Sequence, residues 1–206
     1  AVADTRGEVL TFGGAPIDAF FFSTCGGRKA TGTEAFRGAA RPYLRSMPDV
    51  DASGRAYCSG SPRFRWREEW TGAELRRTPE HTLVSTGLAP SGRVGRILRI
   101  RTIGRTESDR VASLSITTSA GTVEVDGQQI RSVLRLPGGD ILRSNAFELN
   151  VSYAGGQVSR LVADGRGAGH GVGMCQWGAV GRARAGQRYP EILAAYFPGT
   201  ELQRYY

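Results

Sequence analysis

The chain has 206 residues, 40% hydrophobic and 22% charged, with a formal net charge of +8; such a length buries a real core, and such proportions exclude a disordered or fibrous protein. The positive charge is nearly all arginine, Lys29 being the single lysine, and it suits anionic partners such as wall polymers or acidic headgroups. No basic, aromatic-rich nucleic-acid module is present, and no apolar run approaches the ~20 residues of a membrane span, so neither nucleic acid nor a transmembrane segment is expected.

Glu8 to Phe12 reads as a strand, Gly13-Gly14-Ala15-Pro16 as a turn, and Ile17 to Phe22 as a second extended run. Ser23-Thr24-Cys25-Gly26-Gly27 then breaks the pattern with small residues. That loop either lines a cleft or simply follows a buried strand. Residues 28–70 show little periodicity, and Tyr57, Phe64, Trp66 and Trp70 are expected in the core. Thr71 with Glu74 three residues on forms a capping box, which predicts a short helix from Trp70 to Arg77. Residues 93–163 are the clearest β region, with strands over Val94 to Ile103, Val111 to Thr118, Thr122 to Val125 and Phe147 to Tyr153. Ile130 to Leu136 is helix or strand. Gln176 to Gly186 has the small and apolar residues of a tightly packed helix, stopped at Gly186. Pro190 sits early in a second helix, Glu191 to Tyr196. The expected class is α+β and strand-rich, with irregular loops and a few short helices near the C-terminus. Three segments are expected within one compact unit: a loop-rich 1–92, the β region 93–163, and 164–206 with the glycine loop and helices.

The stretch Gly165 to Ala179 holds five alternating glycines from Gly165 to Gly173, too many for a helix or strand interior. It reads as a shaped loop carrying His170, Gln176 and Trp177, side chains able to move a proton, hydrogen-bond an amide and stack on a sugar. The spacing is neither a dinucleotide fingerprint nor a P-loop. The three cysteines, Cys25, Cys58 and Cys175, form no C-x-x-C pair. Counting leaves open one bridge with a leftover thiol, or three buried thiols.

Phe22-Ser23-Thr24-Cys25-Gly26-Gly27, Pro42-Tyr43-Leu44-Arg45-Ser46 with the later Cys58 and Trp66, and Gly169 to Ala179 together resemble the SpoIID/LytB family. The ending Ile192-Leu193 to Thr200 fits as well, and Cys175 stands where that family more often has serine. The resemblance implies a bacterial, sporulation-related protein of the cell envelope, extracytoplasmic or secreted, acting on peptidoglycan glycan strands. Its members include lytic transglycosylases that use one glutamate as acid and then base, and an amidase enhancer. That glutamate precedes a Met-Pro in the family. Here Met47-Pro48 follows Ser46, so no position receives the role, and Glu34 remains as a candidate acid. The chain is accordingly expected to be the C-terminal portion of a larger domain, inactive alone, with its N-terminal segment or a cell-wall amidase as partner. The alternative is a non-catalytic peptidoglycan-binding or amidase-enhancing module. Substrate contacts are expected from Ser23, Thr24, Gly26, Gly27, His170, Gln176 and Trp177, across a groove between the two glycine-rich loops. Some members hold zinc by cysteine and histidine near the Ser-Thr-Cys loop. No histidine lies near Cys25 or Cys58 in this sequence, so no cofactor is expected, and a Cys25–Cys58 disulfide is the competing reading.

Overall fold

The computed structural model describes residues 3–89 and 94–206, with the side chains of residues 78–80 left aside. The expected boundary at 92/93 lies outside the described residues. The chain packs into two compact units, residues 1–61 with 171–206, and residues 62–170. The class is α+β and strand-rich, as the sequence predicts.

The first unit opens with β1 (Glu8–Phe12), which reverses at Gly13 and Gly14 into β2 (Ala15–Pro16). Ala15 and Pro16 therefore lie in the ladder opposite Phe12 and Thr11, beyond the turn assigned to them. β3 (Phe21–Phe22) buries Phe22 and exposes Phe21, the alternation of an extended chain. β4 (Arg28–Lys29) pairs antiparallel with β5 (Met47–Pro48), and two single 3₁₀ turns follow β4 and β5, at Gly32–Glu34 and Tyr57–Gly60.

The second unit begins with β6 (Arg65–Thr71), a strand the sequence reading passes over. Its Arg-Trp-Arg-Glu-Glu-Trp run carries charge on the outer face, where Arg67 meets Asp164 at 2.7 Å across the ladder. Trp70 on the other face is fully buried. α1 (Gly72–Ser85) starts at the expected capping box: the Glu74 amide donates to the Thr71 hydroxyl at 3.3 Å and Glu74 accepts from the Thr71 amide at 2.7 Å. The helix runs past Arg77 because Leu75 and Leu83 both reach the core. β7 (Ile97–Arg105), β8 (Val111–Thr118) and β9 (Gly121–Asp126) form one meander; α2 (Gln129–Val133) settles the helix-or-strand question at Ile130. β10 (Phe147–Ala154) and β11 (Gln157–Arg166) complete a second sheet in the order β10-β11-β6. The core joins Trp70, Leu75, Ile100, Leu114, Ile116, Phe147 and Leu161. β11 extends to Arg166, so Gly165 and Arg166 belong to a strand and not to the glycine loop. Gly165 sits opposite Trp66, and a Cβ there would lie 2.2 Å from the indole Cζ2. The glycine makes room for a ring rather than bending the chain.

The chain then returns to the first unit. β12 (Met174–Cys175) pairs in parallel with β3, α3 (Gln176–Arg184) and α4 (Tyr189–Tyr196) follow, and β13 (Glu201–Arg204) pairs antiparallel with β1. Both ends of the chain thus share the sheet β13-β1-β2. The packing divides at 61/62 and 170/171.

Candidate functional site: a buried thiol cluster beside a tryptophan-lined cleft

β12 lies against β3, and this parallel ladder brings the Ser-Thr-Cys loop directly onto the second glycine stretch. The Met174 amide donates to the Phe20 carbonyl at 2.9 Å, the Ala30 amide to Gly171 at 2.8 Å, and the Trp177 amide to Ser23 at 3.1 Å. Within the first unit Ser23–Gly27 therefore lies directly against Gly171–Trp177. Thr24 is buried against Ser61, with a hydroxyl–hydroxyl distance of 2.8 Å, and Gly26 is buried too. Ser23 and Gly27 are half-buried, and the Ser23 hydroxyl lies 3.3 Å from that of Thr24. Main-chain partners fix this contact: the Ser23 carbonyl accepts from Trp177, the Gly27 carbonyl from the Asp49 amide at 3.0 Å, and the Cys25 amide donates to the Cys175 sulfur.

What this contact encloses is a group of three cysteines. Cys25, Cys58 and Cys175 are each 0% exposed, and their sulfurs all lie within 4.8 Å of one another. Cys25 and Cys58 approach to 3.4 Å, well beyond the ~2.05 Å of a disulfide, and all three are free thiols. Main-chain donors point at the sulfurs. The Cys25 and Gly178 amides donate to the Cys175 Sγ at 3.1 and 3.2 Å, and the Gly27 amide to the Cys25 Sγ at 3.3 Å. Hydrogen bonds from Cys175 and Cys25 hold the Cys58 thiol down to about 3, while its two neighbours and burial push Cys25 well up. Cys175 is pushed up to about 12: the Cys25 thiol works to lower it and is outweighed by Cys58 and burial.

A buried ionic cage stands beside the thiols. Asp49, 1% exposed, accepts from Arg182 Nε and Nη2 at 3.1 and 2.9 Å, from the Tyr196 hydroxyl at 2.7 Å and from the Cys25 thiol at 3.4 Å. The Arg182 guanidinium also stacks on the Tyr57 ring at 4.2 Å. Lys29, equally buried, donates to the Tyr196 carbonyl at 2.6 Å. Burial lowers the Lys29 ammonium to about 8, and burial together with Asp49 raises the Tyr196 phenol. α3 can approach this cage because its inner face is glycine. A Cβ on Gly178 would lie 2.1 Å from the Tyr196 hydroxyl and 2.3 Å from Asp49, and one on Gly181 would lie 2.0 Å from the Tyr57 carbonyl.

The outer face of α3 opens onto a cleft of about 290 Å³, lined by Trp177, Val180 and Arg184 of the helix and by Asp51, Arg55 and Tyr57 of the facing loop, among others. An indole wall with guanidinium groups suits a saccharide ring bearing anionic substituents: apolar ring faces stack on aromatics, and charge pairs at the edge. Asp51 accepts from the Ser53 hydroxyl and from the Ser53 and Arg55 amides at 2.6, 2.9 and 3.0 Å. The Ser53 hydroxyl first, and these amides after it, hold the carboxyl below its usual range. It is the one carboxylate among the described residues of the cleft, and it is an anion at neutral pH, not a proton donor.

Of the residues expected to bind substrate, Trp177 lines this cleft and Gln176 is exposed at the start of α3. His170 closes the second unit, half-buried, its carbonyl 3.4 Å from the Gln128 amide nitrogen. Glu34 is half-buried and occupied in capping: its Oε1 accepts from the Thr31 amide at 3.1 Å and the Thr31 hydroxyl at 3.3 Å. A carboxylate committed to a helix start is poorly placed to shuttle a proton. The sequence reading missed Asp49, Arg182 and Arg184, and it placed Tyr57 in the core, whereas Tyr57 is half-buried and lines the cleft. Only the pairing of a Gly-x-x-Gly step with an arginine, Gly178 to Arg182, hinted at a helix packed on charge.

No helix among the described residues is long and apolar enough to cross a membrane. Residues 56–173 match the family described as a domain of unknown function, DUF8618. Over 203 residues, 98% of the chain, it is 30% identical to the stage II sporulation protein D of Bacillus subtilis (strain 168), of which it covers 50%. The stage II sporulation protein D of Bacillus amyloliquefaciens matches at 30% over 98% of the chain and 49% of its own length. The amidase enhancer of Bacillus subtilis (strain 168) matches at 26% over the whole chain and 32% of its own length. The chain thus spans half or less of these relatives. Residues 56–173 thus carry the DUF8618 match, and through these relatives the chain belongs to the SpoIID/LytB family.

Proposed function

We propose that this chain has a cell-wall role at the bacterial envelope, holding a peptidoglycan glycan strand in the cleft of Trp177, Arg55 and Arg184. The observation that carries the reading is the cleft itself: an indole and two arginines line it, on a helix held to the buried Asp49 by Arg182. The finer reading is that the chain is the strand-holding part of a lytic-transglycosylase-type protein. Its cleft offers an anionic carboxylate where that chemistry needs a protonated one, and Glu34 caps a helix. General acid–base help is typically worth ~10²–10⁴-fold in rate. The 206-residue chain alone should therefore give no detectable 1,6-anhydro product from stem-free glycan, whereas a protein that also supplies an acid should. A relative named amidase enhancer supports a second reading, in which the bound strand is presented to a cell-wall amidase.

Co-sedimentation with purified, stem-free glycan strands tests the cleft. Binding should fall about tenfold or more for Trp177→Ala, the loss of ~1.4 kcal/mol or more of stacking, and fall further when Arg55→Ala is added. Unchanged binding in folded Trp177→Ala would refute the assignment. Anhydro product from the isolated chain, abolished by Glu34→Gln, would show that the acid is Glu34 after all.

A further inference from the structure

We infer that Cys25, Cys58 and Cys175 together form a binding site for one thiophilic d¹⁰ metal ion, zinc(II) or copper(I), held by sulfur alone. The resemblance implies a cysteine-and-histidine zinc set, and that set does not fit this chain. Among the described residues, the group of ligand atoms that could hold an ion contains three cysteines and neither of the two histidines, His81 and His170. What the fold gathers instead is a third cysteine, from the start of α3.

The dimensions agree with a metal. Thiolates bound at ~2.3 Å stand roughly 3.7–4.0 Å apart in tetrahedral or trigonal geometry. The three sulfurs here all lie within 4.8 Å of one another, the nearest pair at 3.4 Å. The second shell agrees independently. Three main-chain amides, of Cys25, Gly27 and Gly178, donate to Cys175 and Cys25 sulfurs at 3.1 to 3.3 Å. A neutral thiol is a weak acceptor, so a cradle of amides is arranged for thiolates. Cys175 is also the N-cap of the nine-residue α3, whose positive end favours an anion there. Three buried thiolates without a cation would repel one another in a dry interior; a bound metal ion removes that conflict, each thiol releasing its proton as its sulfur bonds to the metal. Asp49 Oδ2 lies 3.4 Å from the Cys25 sulfur, but it already accepts from Tyr196. Sulfur therefore supplies three ligands, which suits three-coordinate copper(I), or zinc(II) with one remaining position.

The test uses the whole chain, reduced, anaerobic and freed of metal. Zinc(II) and copper(I) are each titrated in competition with a chromophoric chelator. One equivalent retained per chain is expected for at least one of the two ions, and the two arms decide which. Cys58→Ser and Cys175→Ser should each weaken retention by more than the roughly 10–100-fold typical of an outer-shell change. A second measurement needs no variant: alkylation of the metal-loaded wild type in mild denaturant, read by mass spectrometry. All three cysteines should be protected together by the retained ion. Retention of neither ion, or retention with any of the three alkylated as fast as in the metal-free chain, overturns the proposal. So does undiminished retention in a folded Cys58→Ser or Cys175→Ser variant.

Discussion

Replacing Asp49 by asparagine keeps the size of the side chain and removes its charge. In the native protein that carboxylate receives two N–H donors from Arg182 and the Tyr196 hydroxyl, at 1% exposure, and the Arg182 side chain is itself only 12% exposed. Asparagine can still accept from Arg182 through its one oxygen, and the tyrosine hydroxyl can turn to accept from its amide. What cannot be replaced is the charge that compensates the buried guanidinium. Removing one partner of a buried ion pair costs about 3–5 kcal/mol, and the retained neutral hydrogen bonds place this change near the lower end, about 3. At the ~2–4 °C per kcal/mol of a chain this size, the midpoint should fall by roughly 6–12 °C. Because the two units need not unfold together, hydrogen exchange read peptide by peptide is the better assay. Opening free energies should fall by about 3 kcal/mol in peptides covering α3 and α4, whose most protected amides report the unit's opening. Pairing Asp49→Asn with Arg182→Gln should cost less than the sum of the two, with a coupling of about 1.5 kcal/mol or more. A loss below ~1 kcal/mol in the single variant, or strict additivity, would show that Arg182 finds adequate solvation without its partner and that the cage is not what fixes α3.

Gly181→Ala places a methyl 2.0 Å from the Tyr57 carbonyl, a backbone atom that cannot rotate away. Denaturant titration should show a loss of about 1–3 kcal/mol, as for overpacking, whereas at Gly186, with open space around a left-handed glycine, the cost is strain alone. Thr71→Ala should lower the stability of the second unit by about 1 kcal/mol through loss of the α1 cap, read by exchange in α1 peptides. The folded Lys29 pKa, about 8, lies below its ordinary 10.5. Between those values the unfolded chain holds more protons than the native one, so this group makes stability rise with pH across that window. Urea midpoints compared on either side should rise more in the wild type than in Lys29→Met, and equal slopes would contradict a buried ammonium.

The local elements were legible because short-range chemistry dictates them. The Thr71–Glu74 capping box, the turn at Gly13-Gly14, the alternation from Val111 to Thr118 and the glycine stop at Gly186 are all settled within a few residues of chain. So was the family, since the loop of Ser23 to Gly27 and the stretch of Gly169 to Ala179 are contiguous in sequence. The strand β6 was not legible: tryptophans four apart suit a helix face as well as a sheet, and only the ladder with β11 decides. Nor could Gly165 be told from a loop glycine without the Trp66 ring lying over it. Nor does the sequence say where the two glycine-rich stretches touch, because that depends on where each finds its hydrogen-bond partners. Residues 25, 58 and 175 carry no common motif, and 49, 182 and 196 carry none either. Spacing along the chain says nothing about groups whose approach is fixed by a parallel β3–β12 ladder and by two glycines that let a helix close on a buried carboxylate.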